Sequence, residues 1–286
     1  MSAADSSIPV VYLSYIPYGT DLLRNFLASY VNNAAGCPHQ LIILFKGMMR
    51  EGDEAPFISV AEEFGVQFQS MYYYGGGMDL DAYLFAAREL TSRFVFFLNS
   101  QSVLLHGNWL LKMAQYTGES STGVVASSAS AQSHYSAVFI NHSWRLNFSS
   151  GIKNQFRKYK LLVKAFFYWR SLFPAFPNLH FRTTGFLINR ELFTSLNIPV
   201  AANKMQAYKI ESGYNSITRQ VVAQGYTIIL VDKNGKAYPM NEWHKPVVFW
   251  KGEQEDLLIA DKQTMLFLNA SPAEKKLFTL NAWGKP

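Results

Sequence analysis

Ile8 to Tyr15 (IPVVYLSY) is an almost unbroken apolar run, and similar density returns at Gln40 to Phe45, Phe94 to Leu98 and Tyr226 to Val231. Runs this short and this apolar predict strands covered on both faces. Between them the periodicity changes. Gly19-Thr20-Asp21 opens an amphipathic helix through about Val31, with Thr20 or Asp21 as its cap. Pro56 to Phe64 reads as a second helix, Val66 to Tyr73 as a third strand and Gly75-Gly76-Gly77 as a flexible turn. Asp79 to Leu90 then carries helix signals into the Phe94 strand. Strands alternating with helices over the first hundred residues predict an α/β fold, a mostly parallel central sheet flanked by helices.

The second half is less regular. Gly123 to Ser128 predicts a strand, Ala129 to Ser136 a loop, and Ser136 to Arg145 an antiparallel strand. A helix over 154–173 is stopped by Pro174 and Pro177. Phe186 to Asn189 reads as a strand, Arg190 to Leu196 as a helix, and Ser212 to Gln224 as a helix ended by Gly225. No repeat or low-complexity linker divides the chain, so residues 1–242 read as one domain and 243–286 as an extension packed on it.

At 286 residues, 49% hydrophobic and 16% charged, the chain can bury a large core, which argues against disorder. Its N-terminus shows no basic segment or apolar run of a secretion signal, and no stretch approaches the ~20 apolar residues of a spanning helix. The expected location is the cytoplasm. Cys37 is the single cysteine, which excludes an internal disulfide framework.

Charge sharpens the picture. The net charge is +6, yet Ser120 through Arg190 contains nine Lys and Arg residues and no acid. The basicity therefore belongs to one region and points to a local anionic partner rather than to nucleic acid. At helical spacing Lys153, Arg157, Lys160 and Lys164 form one stripe opposite an aromatic and aliphatic face. That arrangement suits a helix lying on an anionic membrane surface at the inner face of the membrane. A helix docked on the domain with a solvated basic face is the competing reading.

Candidate chemistry begins where the fourth strand ends. RFVFFLNSQS carries a buried strand into Asn99, Ser100 and Gln101, and ligands of open α/β sheets bind beyond the carboxyl ends of strands. Two carboxylates spaced D-x-D there would hold a metal–nucleotide complex. Amide and hydroxyl oxygens alone bind Mg²⁺ or Mn²⁺ weakly, so no metal is expected through this motif, and a divalent Mg²⁺ or Mn²⁺ would have to be held largely by other residues.

Four pieces in order resemble a GT-A glycosyltransferase of the family 2 type over roughly residues 8 to 235. They are VVYLSYIPYG, DLDAYLFAARELTSRFVFFLNSQS, TTGFLINRELF and KIESGYNSITRQVVAQGYTIILV. The resemblance implies transfer of a sugar from a nucleotide diphosphate to a glycan or lipid-linked acceptor, with inversion. It also implies donor contacts from residues 8–102 and acceptor contacts from 103–242. Asn-Ser-Gln stands where that family has D-x-D, and Lys46 where it usually has an acid.

Under this resemblance Pro17 and Tyr18 offer backbone groups and a ring to a nucleobase, and Lys46 neutralises diphosphate as a point charge. One of Asp79 and Asp81 caps a helix while the other faces the ribose or base. Asn99, Ser100 and Gln101 line the donor site, and Arg182 and Gly185 sit near the acceptor or diphosphate. Glu211, read as opening a helix, is the candidate base, since inverting transfer needs a proton acceptor beside the attacking hydroxyl. Trp243 and His244 are candidates for sugar or diphosphate contact. The rival is a degenerate domain of the same fold that binds a nucleotide, glycan or protein partner without turnover. A doubly wound nucleotide-binding protein of another kind is disfavoured by the lack of G-x-G-x-x-G and of a P-loop.

Overall fold

The computed structural model describes residues 7–141 and 152–285. Its first half alternates as the sequence predicts: β1 (Ile8–Tyr15), α1 (Asp21–Asn32), β2 (His39–Lys46), α2 (Ala55–Glu63), β3 (Gln69–Tyr73), α3 (Asp79–Glu89) and β4 (Phe94–Leu98). There follow β5 (Val103–Leu104), α4 (Trp109–Ala114), β6 (Thr122–Ala126), β7 (Ala129–Ser130), α5 (His134–Asn141), α6 (Ile152–Leu172), β8 (His180–Phe181) and β9 (Phe186–Asn189). The chain continues through α7 (Arg190–Ser195), α8 (Lys204–Ser212), α9 (Ile217–Ala223), β10 (Thr227–Val231), β11 (Ala237–Pro239), β12 (Ile259–Ala260), α10 (Lys262–Leu268) and α11 (Pro272–Trp283).

An eight-stranded sheet in the order β11-β10-β6-β9-β4-β1-β2-β3 forms the centre. It is mostly parallel; β9 runs antiparallel between β4 and β6, and β11 antiparallel at the edge. Because side chains alternate across a strand, Val11 and Leu13 enter a core under α3, α7 and α9, while Val10 and Tyr12 enter a second under α1, α2 and α4. Both faces are covered, which explains the unbroken apolar strands.

The inversion of β9 decides which residues meet at the carboxyl edge of the sheet. A parallel strand would begin at the far edge, whereas β9 begins at the edge where β1, β2 and β4 end. With Phe97 opposite Phe186, continuing the register sets Asn99 beside Thr184. Residues 182–185 therefore arrive at the carboxyl edge together with 99–101.

Three elements differ from the sequence reading. Strand propensity predicts an extended segment over Ser136 to Arg145, but 134–141 is helical and 142–145 lies outside the described residues. The reason is a cap: Ser133 Oγ accepts from Ser136 N at 3.1 Å and starts a helix there. The predicted 212–224 helix is helical only over Ile217–Ala223 (α9), and Ser212 instead ends a separate upstream helix, Lys204–Ser212 (α8); each has its own cap. Asn203 Oδ1 accepts from Gln206 N, and Ser216 Oγ from Arg219 N. Glu211 consequently closes α8 instead of opening a helix. The predicted loop over 129–136 also holds the short strand β7, paired with β8.

Residues 243–285 lie against the sheet domain. β12 pairs antiparallel with β5, Ala131 N donates to Ala282 O, and Phe249, Trp250, Phe267 and Ala282 form a small core of their own.

Candidate functional site

A cleft of about 540 Å³ opens at the carboxyl edge of the sheet. Each wall comes from a strand exit or a helix end, and this is why residues remote in sequence meet there. Tyr18 follows β1, Lys46 ends β2, Asp79 starts α3, Asn99, Ser100 and Gln101 follow β4, Arg182 precedes β9 and Glu211 lies near the end of α8. Eight of the residues singled out from sequence thus border one cavity.

Lys46 is the buried cation of this cleft. Its Nζ donates to Gly77 O at 2.8 Å and lies about 6 Å from the ring centres of Tyr15 and Tyr73. Burial pushes its pKa down, and the charges of Asp79 and Asp81 pull it partly back. The turn that presents Gly77 O needs glycine there. Gly77 has φ +87°, and a Cβ would come within 2.4 Å of Asp81 Oδ2.

The two aspartates sit differently. Asp81 is buried and structural, accepting from Met78 N at 2.8 Å and Ala201 N at 3.3 Å. Asp79 is exposed and borders the cleft.

Asn99 spends its side chain inside the protein. Its Oδ1 accepts from Gln101 N and Ser102 Oγ, and its Nδ2 donates to Thr184 Oγ1 at 3.2 Å. Ser100 accepts from Tyr15 N through Oγ and from Tyr12 Oη through its carbonyl. The triad is a braced turn that joins β4 to β9 and β1.

That brace continues to a residue the sequence reading missed. Thr184 Oγ1 donates to Asp261 Oδ2 at 2.8 Å, and Arg182 Nη2 donates to the same oxygen at 2.8 Å. The other carboxylate oxygen caps α10, accepting from Gln263 N and Thr264 N. Burial would raise the Asp261 pKa, but the Arg182 charge and the bonds from Thr184, Arg182 and Thr264 outweigh it and leave a net lowering. The D-x-x-T pattern of Asp261 and Thr264 is readable as a helix cap, but nothing local ties it to a site more than seventy residues away from Arg182.

Glu211 is partly buried and accepts from Thr183 Oγ1 at 2.7 Å. Burial raises its pKa; the Thr183 bond and Arg182 oppose this, Asp79 adds to it, and the net shift is upward. Behind Glu211 lies a second chamber of about 280 Å³. Arg182, Thr183, Thr184, Tyr208, Glu211 and Gln263 border both cavities, so the carboxylate stands on their common wall.

Several candidates fall elsewhere. Trp243 is fully buried, with Nε1 donating to Tyr238 O, because its large apolar body closes the core. His244 is exposed, and its carbonyl accepts from Lys251 Nζ. Neither borders the cleft or the chamber. Gly185 is buried with φ +66° and packs where a Cβ would come within 2.5 Å of Ile259 Cδ1, so its role is close approach of β9 to β12. Pro17 is exposed in the turn after β1 and packs beside Gly47, outside the cleft lining.

The β4 exit and its brace to Asp261 do not fit a divalent metal. Asn99 Oδ1 and both oxygens of Asp261 are already committed to protein donors. Among the described residues no group of three His, Cys, Asp or Glu side chains could hold an ion. For α6, the helix backbone spans Lys153 and Arg157, whose side chains lie outside the described set; Lys160 and Lys164 are exposed. No helix among the described residues is long and apolar enough to cross a membrane.

No protein-family model matches the sequence, and no curated protein matches it. Among solved structures, the chain is similar to a mannosyltransferase from Pyrobaculum calidifontis in complex with GDP-Man and Mn²⁺, at 11% identity over 87% of this chain and 63% of that one, TM-score 0.49. It is also similar to glucosyl-3-phosphoglycerate synthase from Mycobacterium tuberculosis in complex with Mn²⁺, UDP and glucosyl-3-phosphoglycerate, at 14% identity over 72% of this chain and 65% of that one, TM-score 0.40. A third likeness is to the bifunctional glycosyltransferase WbbM, at 12% identity over 98% and 45%, TM-score 0.43. The chain spans under two thirds of the length of each.

Proposed function

We propose that this chain is a GT-A-like glycosyltransferase that moves a sugar from a nucleotide-diphosphate donor to an acceptor hydroxyl with inversion. The observation that carries the reading is the position of Glu211, a carboxylate of raised pKa on the wall between a cation-bearing cleft and a second chamber. A base must touch the attacking hydroxyl while the donor waits on the other side. In this reading the acceptor oxygen attacks the anomeric carbon as its proton passes to Glu211. The carbon–oxygen bond to the diphosphate breaks with its electron pair, and the nucleoside diphosphate leaves. Lys46 offsets the charge on the leaving group.

The nucleotide would occupy the larger cleft, beside Tyr18 and Asp79. The acceptor, a glycan or lipid-linked glycan, would approach from the chamber. Exposed Lys160 and Lys164, with Phe167 and Tyr168 exposed one turn on, support a peripheral docking of α6 on an anionic membrane. A binding module without turnover is the second reading, favoured by the internal commitment of Asn99 and by the Thr183 bond to Glu211. Calorimetry with UDP and GDP, with and without Mn²⁺, tests the first claim; binding of neither nucleotide would remove it. Nucleotide release from UDP-sugars and GDP-sugars then separates enzyme from binding module.

A further inference from the structure

We infer that the chamber behind Glu211 is a subsite for one uncharged sugar ring, held through hydroxyl donation to His180 and packing on Tyr208; this rests on the proposed transfer activity. Its volume, about 280 Å³, falls just under the roughly 300–1,000 Å³ of pockets for drug-sized ligands, which suits a single ring.

The polar side of the chamber is rich in acceptors. His180 Nδ1 lies 2.8 Å from Asn178 O. A carbonyl can only accept, so Nδ1 carries the proton and Nε2 keeps its lone pair. Among the described residues Nε2 has no hydrogen-bond partner, and His180 borders the chamber. Burial keeps this ring neutral, with a pKa pushed down to about 4, and does the same for His134, also to about 4. Glu211 adds a second acceptor. A ligand that presents several hydroxyl protons satisfies both groups.

The apolar side suits the carbon face of a pyranose. Tyr208 is 38% exposed and packs against His134 at 4.6 Å between ring centres, and Phe181 and Trp250 also line the chamber. Charge excludes the alternatives. Among the described residues Arg182 is the chamber's one Lys or Arg, and its guanidinium is already paired with Asp261 and laid over the Phe249 ring at 3.9 Å. A phosphate or carboxylate would shed its water beside Glu211 with no free cation to receive it.

The test titrates the intact protein, alone and saturated with UDP or GDP, with methyl α-mannoside, methyl β-glucoside and methyl β-galactoside. Methyl β-glucuronide and glycerol 3-phosphate serve as anionic probes, and binding is read by saturation-transfer NMR. At least one neutral glycoside should bind saturably, both anions more weakly. His180→Ala should weaken that glycoside roughly five- to ten-fold, the size of one lost hydrogen bond. Tyr208→Ala, at an exposed position, should weaken it similarly. In His180→Ala, which lies outside the nucleotide cleft, nucleotide affinity should stay within about two-fold, and both variants should keep the thermal unfolding midpoint of a folded protein. Preference for an anionic probe, absence of glycoside binding by nucleotide-loaded protein, or affinity unchanged in both variants overturns the subsite. Failure of nucleotide binding in the unsubstituted protein instead removes the transfer reading.

Discussion

Arg182 Nη2 lies 2.8 Å from Asp261 Oδ2, joining the entry of β9 to the cap of α10 in the C-terminal segment. Arg182 is 16% exposed and Asp261 5%. Desolvating such a pair offsets much of its attraction, so its main effect is to fix geometry. Removing one partner is another matter, because the remaining charge stays buried.

Asp261→Asn keeps a cap for Gln263 and Thr264 while discarding the charge. Loss of a buried partner costs about 3–5 kcal/mol, and the residual exposure of Arg182 points to the lower end. Urea unfolding near neutral pH should show a loss of about 3 kcal/mol. The native pKa of Asp261 is depressed. Its stabilisation is therefore complete above the unfolded value of about 3.9 and is lost as pH falls through the native value. The gap between the two proteins should narrow on acidification below about pH 4. A gap independent of pH would contradict the assignment.

Glu211→Gln separates activity from stability. Gln retains an oxygen to accept from Thr183 but cannot take a proton, so transfer should fall by about 10²- to 10⁴-fold while nucleotide still binds. The activity of the unsubstituted protein should rise with pH through a limb above the ordinary glutamate pKa, because the base acts deprotonated and its pKa is raised. The same shift costs stability once the carboxyl ionises in the fold. Thermal unfolding at neutral pH should find the variant at least as stable as the parent. A clear loss of stability would recast Glu211 as a structural residue.

The strands and helices of the first hundred residues, and the strand exits that line the cleft, are legible in the sequence because each depends on a local pattern. Apolar runs fix strands covered on both faces, and a polar exit such as Asn99 to Gln101 marks the edge where the cleft opens. What is not legible depends on tertiary closure. Asp261 reads locally as an ordinary cap, and only the antiparallel β9 and the pairing of β12 with β5 bring it to Arg182. Trp243 and His244 look like site residues because aromatic and imidazole side chains suit sugars. Composition cannot tell a ring that faces a ligand from one that fills a core. The place of Glu211 within its helix escapes the sequence pattern because Asn203 caps an upstream helix that runs through Glu211, while Ser216 caps the next one.

Lys46 offers a test of how the diphosphate is held. Lys46→Met keeps most of the stem that packs beside Tyr15 and Tyr73 but removes the charge and the bond to Gly77. Charge-assisted bonds contribute roughly 1.5–3 kcal/mol, so affinity for UDP or GDP should fall about ten- to a hundred-fold. Uridine and guanosine, which lack phosphate, should bind both proteins equally. Equal losses for nucleosides and diphosphates would mean that the substitution had disturbed the cleft as a whole.

Metal dependence follows from the commitments of Asn99 and Asp261. An ion bound through them would have to displace Gln101 N, Ser102 Oγ and Arg182. Addition of Mn²⁺ or of EDTA should change the Kd for nucleotide by less than about three-fold. A larger gain with Mn²⁺ would require the Arg182–Asp261 pair to open, and Asp261→Asn would then abolish that gain.

The outer face of α6 combines cations with apolar rings. Lys160 and Lys164 are exposed, and Phe167 and Tyr168 are 61% and 54% exposed on the next turn. A basic residue near an anionic bilayer contributes about 1 kcal/mol, and apolar rings add burial in the headgroup region. Pelleting with vesicles containing phosphatidylserine should therefore exceed pelleting with neutral vesicles and should weaken as salt rises. Reversing charge at Lys160→Glu and Lys164→Glu should cost about ten-fold or more in binding, with nucleotide affinity unchanged. Indifference to both lipid charge and these substitutions would leave α6 as a solvated helix of the domain.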